Sequence, residues 1–223
     1  MESTSRKWWI LLAATLCLSL TMLDQTIITV ALKTIQIDLH ASQTELQWVV
    51  NAYLLTFTGT VITLGKLADI IGHKRSFLIG SVIFTLASLA CGLSRSIEGL
   101  IISRAFQGLG SSFMYPPGPA IVNNAFPLNQ RGRATGILTG IAGAFLSAGP
   151  FLGGFIVTNL PWSWIFYINL PVGIAAFLVG FLSIPKDKKY PKQTSLDLPG
   201  SFLLFFGLGL FVLTLMEGPN WGW

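Results

Sequence analysis

Charge is what this sequence has least of. Asp, Glu, Lys and Arg make up 10% of its 223 residues, where a soluble chain carries roughly 25% to cover its surface. That scarcity excludes an ordinary soluble domain. There are only two cysteines, Cys17 and Cys91, both inside apolar stretches, so neither a disulfide framework nor a cysteine metal site is expected. There are only two histidines, His40 and His73, and they fall in gaps on opposite sides of the membrane. With no Ser-His-Asp, Cys-His or metal constellation, neither an enzyme nor a bound cofactor or metal is expected. The net charge of +5 could suggest nucleic acid, but the basic residues sit in short gaps between apolar runs and build no polar domain. Their pattern fits membrane orientation instead.

Apolar sequence is what the chain has in abundance. Hydrophobic residues make up 52%, and the mean hydropathy is +0.67. Crossing a bilayer takes about 20 residues as a helix, and lipid offers no partner to unpaired backbone groups, so each span has to be helical. Seven spans are expected: Trp8–Leu32, Trp48–Gly65, Ser76–Leu93, Gly99–Val122, Ala134–Val157, Trp164–Ile184 and Leu198–Met216. Arg6 and Lys7 precede the first as they would in a signal peptide, but the run has no clear small-residue cleavage site, so it reads as a retained span. Arg6, Lys7, Lys66, Lys74, Arg75, Arg131, Arg133, Lys186, Lys188, Lys189 and Lys192 lie on the N-terminal side, against Lys33 and Arg95 on the other. Eleven against two places the N-terminus in the cytoplasm. Trp48, Trp162, Trp164, Trp221 and Trp223 gather towards the outer ends, where aromatic belts form.

Two charges interrupt the spans. Asp24 lies about 12 Å below the outer end of the first, and Arg104 about 8 Å below that of the fourth, by helical rise. A central charge costs at least ~2.5–3.5 kcal/mol, so each needs a partner or a water-filled cavity. The similar depths allow both to face one aqueous chamber. Asp24 could bind a proton or a cationic substrate, or simply hydrogen-bond between helices. Arg104 shares a helix face with Gln107, three residues on, and keeps its proton at physiological pH. It could tune a neighbouring carboxylate, or be half of a structural ion pair.

Glycines mark two further places. The fifth span holds Gly136 and Gly140, then the cluster Gly149, Pro150, Gly153 and Gly154. Small residues four apart let helices approach closely, and Pro150 removes a backbone hydrogen bond and bends a helix. A packing role alone would explain the first pair; the cluster is more specific. Between spans two and three, Gly65 and Gly72 are expected to bracket a tight turn holding Asp69, with Lys74 and Arg75 following. Asp69 could cap a helix or pair with a base.

These runs together resemble the major facilitator superfamily, in its fourteen-span drug:proton antiporter branch. Leu23 to Leu32 is similar to that branch's first-span motif, Gly65 to Arg75 to the cytoplasmic-loop motif, and Arg104 to Gly110 to the fourth-span motif. Gly149 to Gly154 is similar to the antiporter motif, and Trp164 to Gly173 and Glu217 to Trp223 are also similar to this branch. Ile70, His73 and Ser163 stand where arginine is common. The resemblance implies an all-α membrane protein: a six-helix N-terminal bundle of two three-helix inverted repeats, plus a seventh transmembrane helix. The expected units are a bundle over 1–185, a basic cytoplasmic linker over 186–197, and a seventh helix with its outer end over 198–223. It implies multidrug efflux of hydrophobic or cationic small molecules in exchange for protons, from a half-length chain in the cell membrane. Asp24, Arg104 and Gln107 would couple protons to substrate. Gly65, Asp69, Gly72, Lys74 and Arg75 would form the cytoplasmic gate, and Gly149, Pro150, Gly153 and Gly154 the exchange-type helix. The expected partners are substrate, protons, lipid and either a second transporter half or a second copy, with no nucleic acid. A truncated, transport-inactive module, or one chain of a split transporter, is the alternative.

Overall fold

The computed structural model describes residues 2–187 and 197–217. Its helices are α1 (Glu2–Leu39), α2 (Gln43–Ile71), α3 (His73–Leu93), α4 (Ile97–Met114), α5 (Pro117–Ala125), α6 (Leu128–Asn159), α7 (Trp164–Tyr167), α8 (Asn169–Ser183) and α9 (Leu198–Glu217). Most of the basic linker, residues 188–196, and the terminal run 218–223 with Trp221 and Trp223 lie outside the described residues.

Several ends differ from the sequence expectation. α1 and α2 run well past their apolar cores, because local capping rather than hydropathy sets where a helix stops. Ser42 and Glu45 form a reciprocal capping box at the start of α2, and the Ser96 side chain accepts from the Gly99 amide at the start of α4, so orphan amides are satisfied at each point. The fourth span is not one helix: it stops at Met114 and resumes at Pro117. Pro116 and Pro117 have no amide hydrogen to continue the ladder. Among the described residues, five stretches are long and apolar enough to span a membrane, with α7 and α8 counted together, and 199–214 forms a shorter apolar helix.

The packing follows an exchange symmetry. With α1, α2 and α3 as one repeat and α4/α5, α6 and α7/α8 as the other, α1 lies along α6 just as α4 lies along α2. Likewise α1 meets α8 as α4 meets α3, and α3 packs on α8. Each first helix thus crosses into the opposite repeat, as inverted three-helix repeats require. α9 packs on α2, with Phe205 over Gly59.

Of three apolar cores among the described residues, two lie one above the other. The one nearer the α1–α2 turn holds Ile27, Val49, Cys91, Leu100 and Phe166. The other holds Leu20, Tyr53, Phe84, Met114 and Ala176. Between those two layers α1, α3, α4 and α8 contribute a set of polar residues, Asp24, Ser88, Arg104, Gln107 and Asn169, every one of them buried.

Candidate functional site

The polar layer is built around one ion pair. Arg104 Nη1 donates to Asp24 Oδ2 at 2.5 Å, and the two residues are 1% and 0% exposed. The expected shared depth is therefore realised as direct contact. The expected aqueous chamber is not what they face: each is sealed by the bundle, and each is the other's partner. Lone charges at this depth would be costly, and contact between them, together with further hydrogen bonds, offsets part of that cost.

Partners from α2, α4 and α8 surround the pair. Arg104 Nε donates to the Val49 carbonyl at 3.1 Å, and Nη1 also reaches Gln107 Oε1 at 2.8 Å. The guanidinium carbon sits 4.3 Å above the Tyr53 ring centre, a cation–π contact that is strong when desolvated. Asp24 Oδ1 accepts from Gln107 Nε2 at 2.8 Å and from Asn169 Nδ2 at 3.2 Å. Ser88 accepts from both of those amides and donates to the Phe166 carbonyl. One oxygen, Asn169 Oδ1, is buried with no partner among the described residues. Tyr53, Ser88 and Asn169 were not singled out by sequence. Uncharged polar residues are cheap enough in spans to pass as packing, and only their contact with Asp24 and Arg104 distinguishes them.

At the basic end the structure revises the expected turn. Gly65 lies inside α2, where its face meets Pro116; it brackets nothing. The turn is Gly72 alone, at φ +104°, a conformation that side chains disfavour. Asp69 pairs with His73 across it at 3.6 Å. The anion at the start of α3 is instead Asp187, from beyond α8: it accepts from the Lys74 amide at 3.0 Å and the Arg75 amide at 3.3 Å. Lys74 returns the contact, its ammonium donating to the Phe181 and Ile184 carbonyls at 2.7 and 2.6 Å. Arg6 caps the same helix end through the Ser183 carbonyl. A carboxylate at a helix start and ammonium groups at a helix end both complement the helix dipole. Asp187 was passed over because it stands among lysines in a segment read as linker.

The glycine cluster of α6 divides. A Cβ at Gly149 would overlap the Thr26 side chain, and one at Gly153 would come 3.0 Å from the Ile27 carbonyl oxygen. Both glycines therefore let α1 and α6 touch backbone to backbone. Gly154 has nothing within 4 Å. Gly108 on α4 plays the matching part against Tyr53 and Thr56 of α2. Pro150 lies within α6, which stays helical through it. An open cleft between α1 and α2, on the side of their connecting turn, is lined by Thr29, Lys33, Gln36, Gln43 and Gln47.

A sequence-family model described as Major Facilitator Superfamily matches residues 14–199. The chain is 38% identical to the tetracenomycin C resistance and export protein of Streptomyces glaucescens, over 98% of this chain and 40% of that protein. It is 37% identical to the riboflavin transporter RibZ of Clostridioides difficile, over 96% of this chain and 47% of that protein. It is 39% identical to the multidrug resistance protein Stp of Mycobacterium tuberculosis, over 96% and 40%. Each match spans less than half of the curated relative. Among solved structures, a peptide transporter POT in complex with sulfate matches with a TM-score of 0.73 at 15% identity, over 98% of this chain and 47% of that one.

Proposed function

The chain belongs to the Major Facilitator Superfamily, and from that premise we propose that it forms one half of a proton-coupled exporter of hydrophobic or cationic small molecules. Relatives named for export of, or resistance to, tetracenomycin C, puromycin and multiple drugs support the export direction. Its setting is the cell membrane, with the N-terminus and the basic end in the cytoplasm, in keeping with the positive-inside rule.

The single observation that carries the coupling is the sealed Asp24–Arg104 pair. Only Asp24 can change charge, since arginine keeps its proton. When Asp24 takes up a proton, Arg104 still has Gln107, Val49 and the Tyr53 ring as partners. Asn169, whose Nδ2 already donates to Asp24, also carries a buried acceptor with no partner among the described residues, Oδ1, which we assign to the new carboxyl O–H. The pair can thus open without stranding either member, which is what an exchange cycle needs. Gln107 bridges both states, because it touches acid and base together.

The rest of the machinery follows. Gly65, Asp69, Gly72, Lys74 and Arg75, with Asp187, act at the cytoplasmic gate. Gly149, Pro150 and Gly153 form the joint of α6 against α1. Gly132, Gly136, Gly140 and Gly143 have nothing within 4 Å, and we assign that open face of α6 to the helices that complete the transporter, on this or another chain.

The test is ethidium transport driven by a proton gradient in vesicles containing the complete assembly. Asp24→Asn should abolish the response to the gradient. Transport that keeps its pH dependence in that variant removes Asp24 from the coupling role. A second reading is a transport-inactive module, favoured by the 40–47% share of the relatives' length. Native gel sizing in mild detergent separates the two: a lone monomer that moves no dye supports the inactive module.

A further inference from the structure

Pro150 lies inside α6. Proline has no amide hydrogen, so the carbonyl four residues earlier loses its helical donor. That carbonyl belongs to Leu146. A different helix supplies the missing donor: the Thr26 hydroxyl of α1 donates to the Leu146 oxygen at 2.9 Å. The reach is short because Gly149, on the next turn of α6, has no side chain where Thr26 stands. Proline frees the acceptor, glycine opens the path, and threonine fills it.

We propose that Thr26 is the positioning residue of the α1–α6 joint, its hydroxyl standing in for the amide that Pro150 lacks. The same hydroxyl lies 3.2 Å from the Leu23 carbonyl and 3.5 Å from the Met22 carbonyl of its own helix. One proton serves one of these acceptors well at a time. If α6 moves away, the hydroxyl turns back onto α1, and only the Leu146 carbonyl is left to find water. The contact therefore holds the helices in register yet releases without stranding its donor. Thr26 is two residues from Asp24, so one turn of α1 carries both the charge and the joint. As a part of the exchange cycle the joint rests on the function proposed above; as a contact of the folded chain it can be tested apart from transport.

The experiment is a double-mutant cycle on the purified 223-residue chain, read by thermal midpoint in detergent and by amide exchange across residues 144–152. Thr26→Val keeps the shape and loses the donor, and should lower the midpoint by about 2–4 °C and speed exchange in that stretch. Thr26→Ser should restore both. Pro150→Ala gives α6 back its own amide, and on that background Thr26→Val should change neither readout. An equal drop in both backgrounds, or a serine variant as weak as the valine one, overturns the proposal. Should the alanine variant not accumulate, the valine and serine variants still decide it through exchange at 144–152. A cycle that closes as expected while Asp24→Asn leaves transport untouched upholds the joint and removes only the coupling role.

Discussion

Asp24 and Arg104 are replaceable to different degrees, because their charges differ in permanence. Asp24→Leu would leave a buried guanidinium without its counter-ion, and the loss of one member of such a pair costs about 3–5 kcal/mol. Asp24→Asn keeps a carbonyl oxygen facing Arg104 and should cost clearly less. Thermal unfolding of the two variants in detergent should rank them in that order, and equal losses would mean that Arg104 needs the negative charge itself and that a neutral carbonyl oxygen does not substitute for it. This ordering is also why the asparagine variant is the right probe of coupling. The pair was legible in the sequence because a charge within an apolar run is conspicuous and expensive. Ser88, Tyr53 and Asn169 were not, since nothing in a single sequence separates a serine that packs from a serine that completes a network. The sequence also allowed water as the partner of each charge, and only the exchange of helices between repeats brings the two side chains together.

Among the helices, the α6 cluster shows how a motif can hold residues with unequal duties. Gly149→Ala would drive a methyl into Thr26 and should destabilise the bundle by about 1–3 kcal/mol. Gly154→Ala meets open space and should shift stability by no more than about 0.5 kcal/mol. Parallel melts of the two variants test this, and an equally damaging Gly154 variant would point to a contact made by helices beyond this chain. At the basic end, Asp187→Ala removes the anion seated on α3 and should cost about 0.5–2 kcal/mol. Faster exchange of the Lys74 and Arg75 amides would report it directly. Helix identity was readable from apolar length, but helix ends were not. Gly65 looked like a turn because glycine often is one, yet Leu67, Ala68 and Ile70 carry α2 onward to Gly72. The split between α4 and α5 was there to be read in Pro116 and Pro117, within a run whose hydropathy alone suggested one continuous span.

On the scale of the whole molecule, the positive-inside orientation rests on eleven basic residues against two, and two of the eleven, Arg6 and Lys74, cap the end of α8. Cys17 and Cys91 are both buried, so a membrane-impermeant maleimide should report only on introduced thiols. His40→Cys, at the α1–α2 turn, should label in intact cells, and Asn129→Cys, at the start of α6, only after permeabilisation. The reverse pattern would invert the molecule. The pairing of first helices across repeats also has a consequence for biosynthesis. Arg104 follows Asp24 by 80 residues, which a ribosome adds in roughly 4–16 s at 5–20 residues per second. For that interval Asp24 has been made while its counter-ion has not. The nascent chain must shelter an orphan carboxylate, as a neutral acid or beside the insertion machinery, until α4 is delivered.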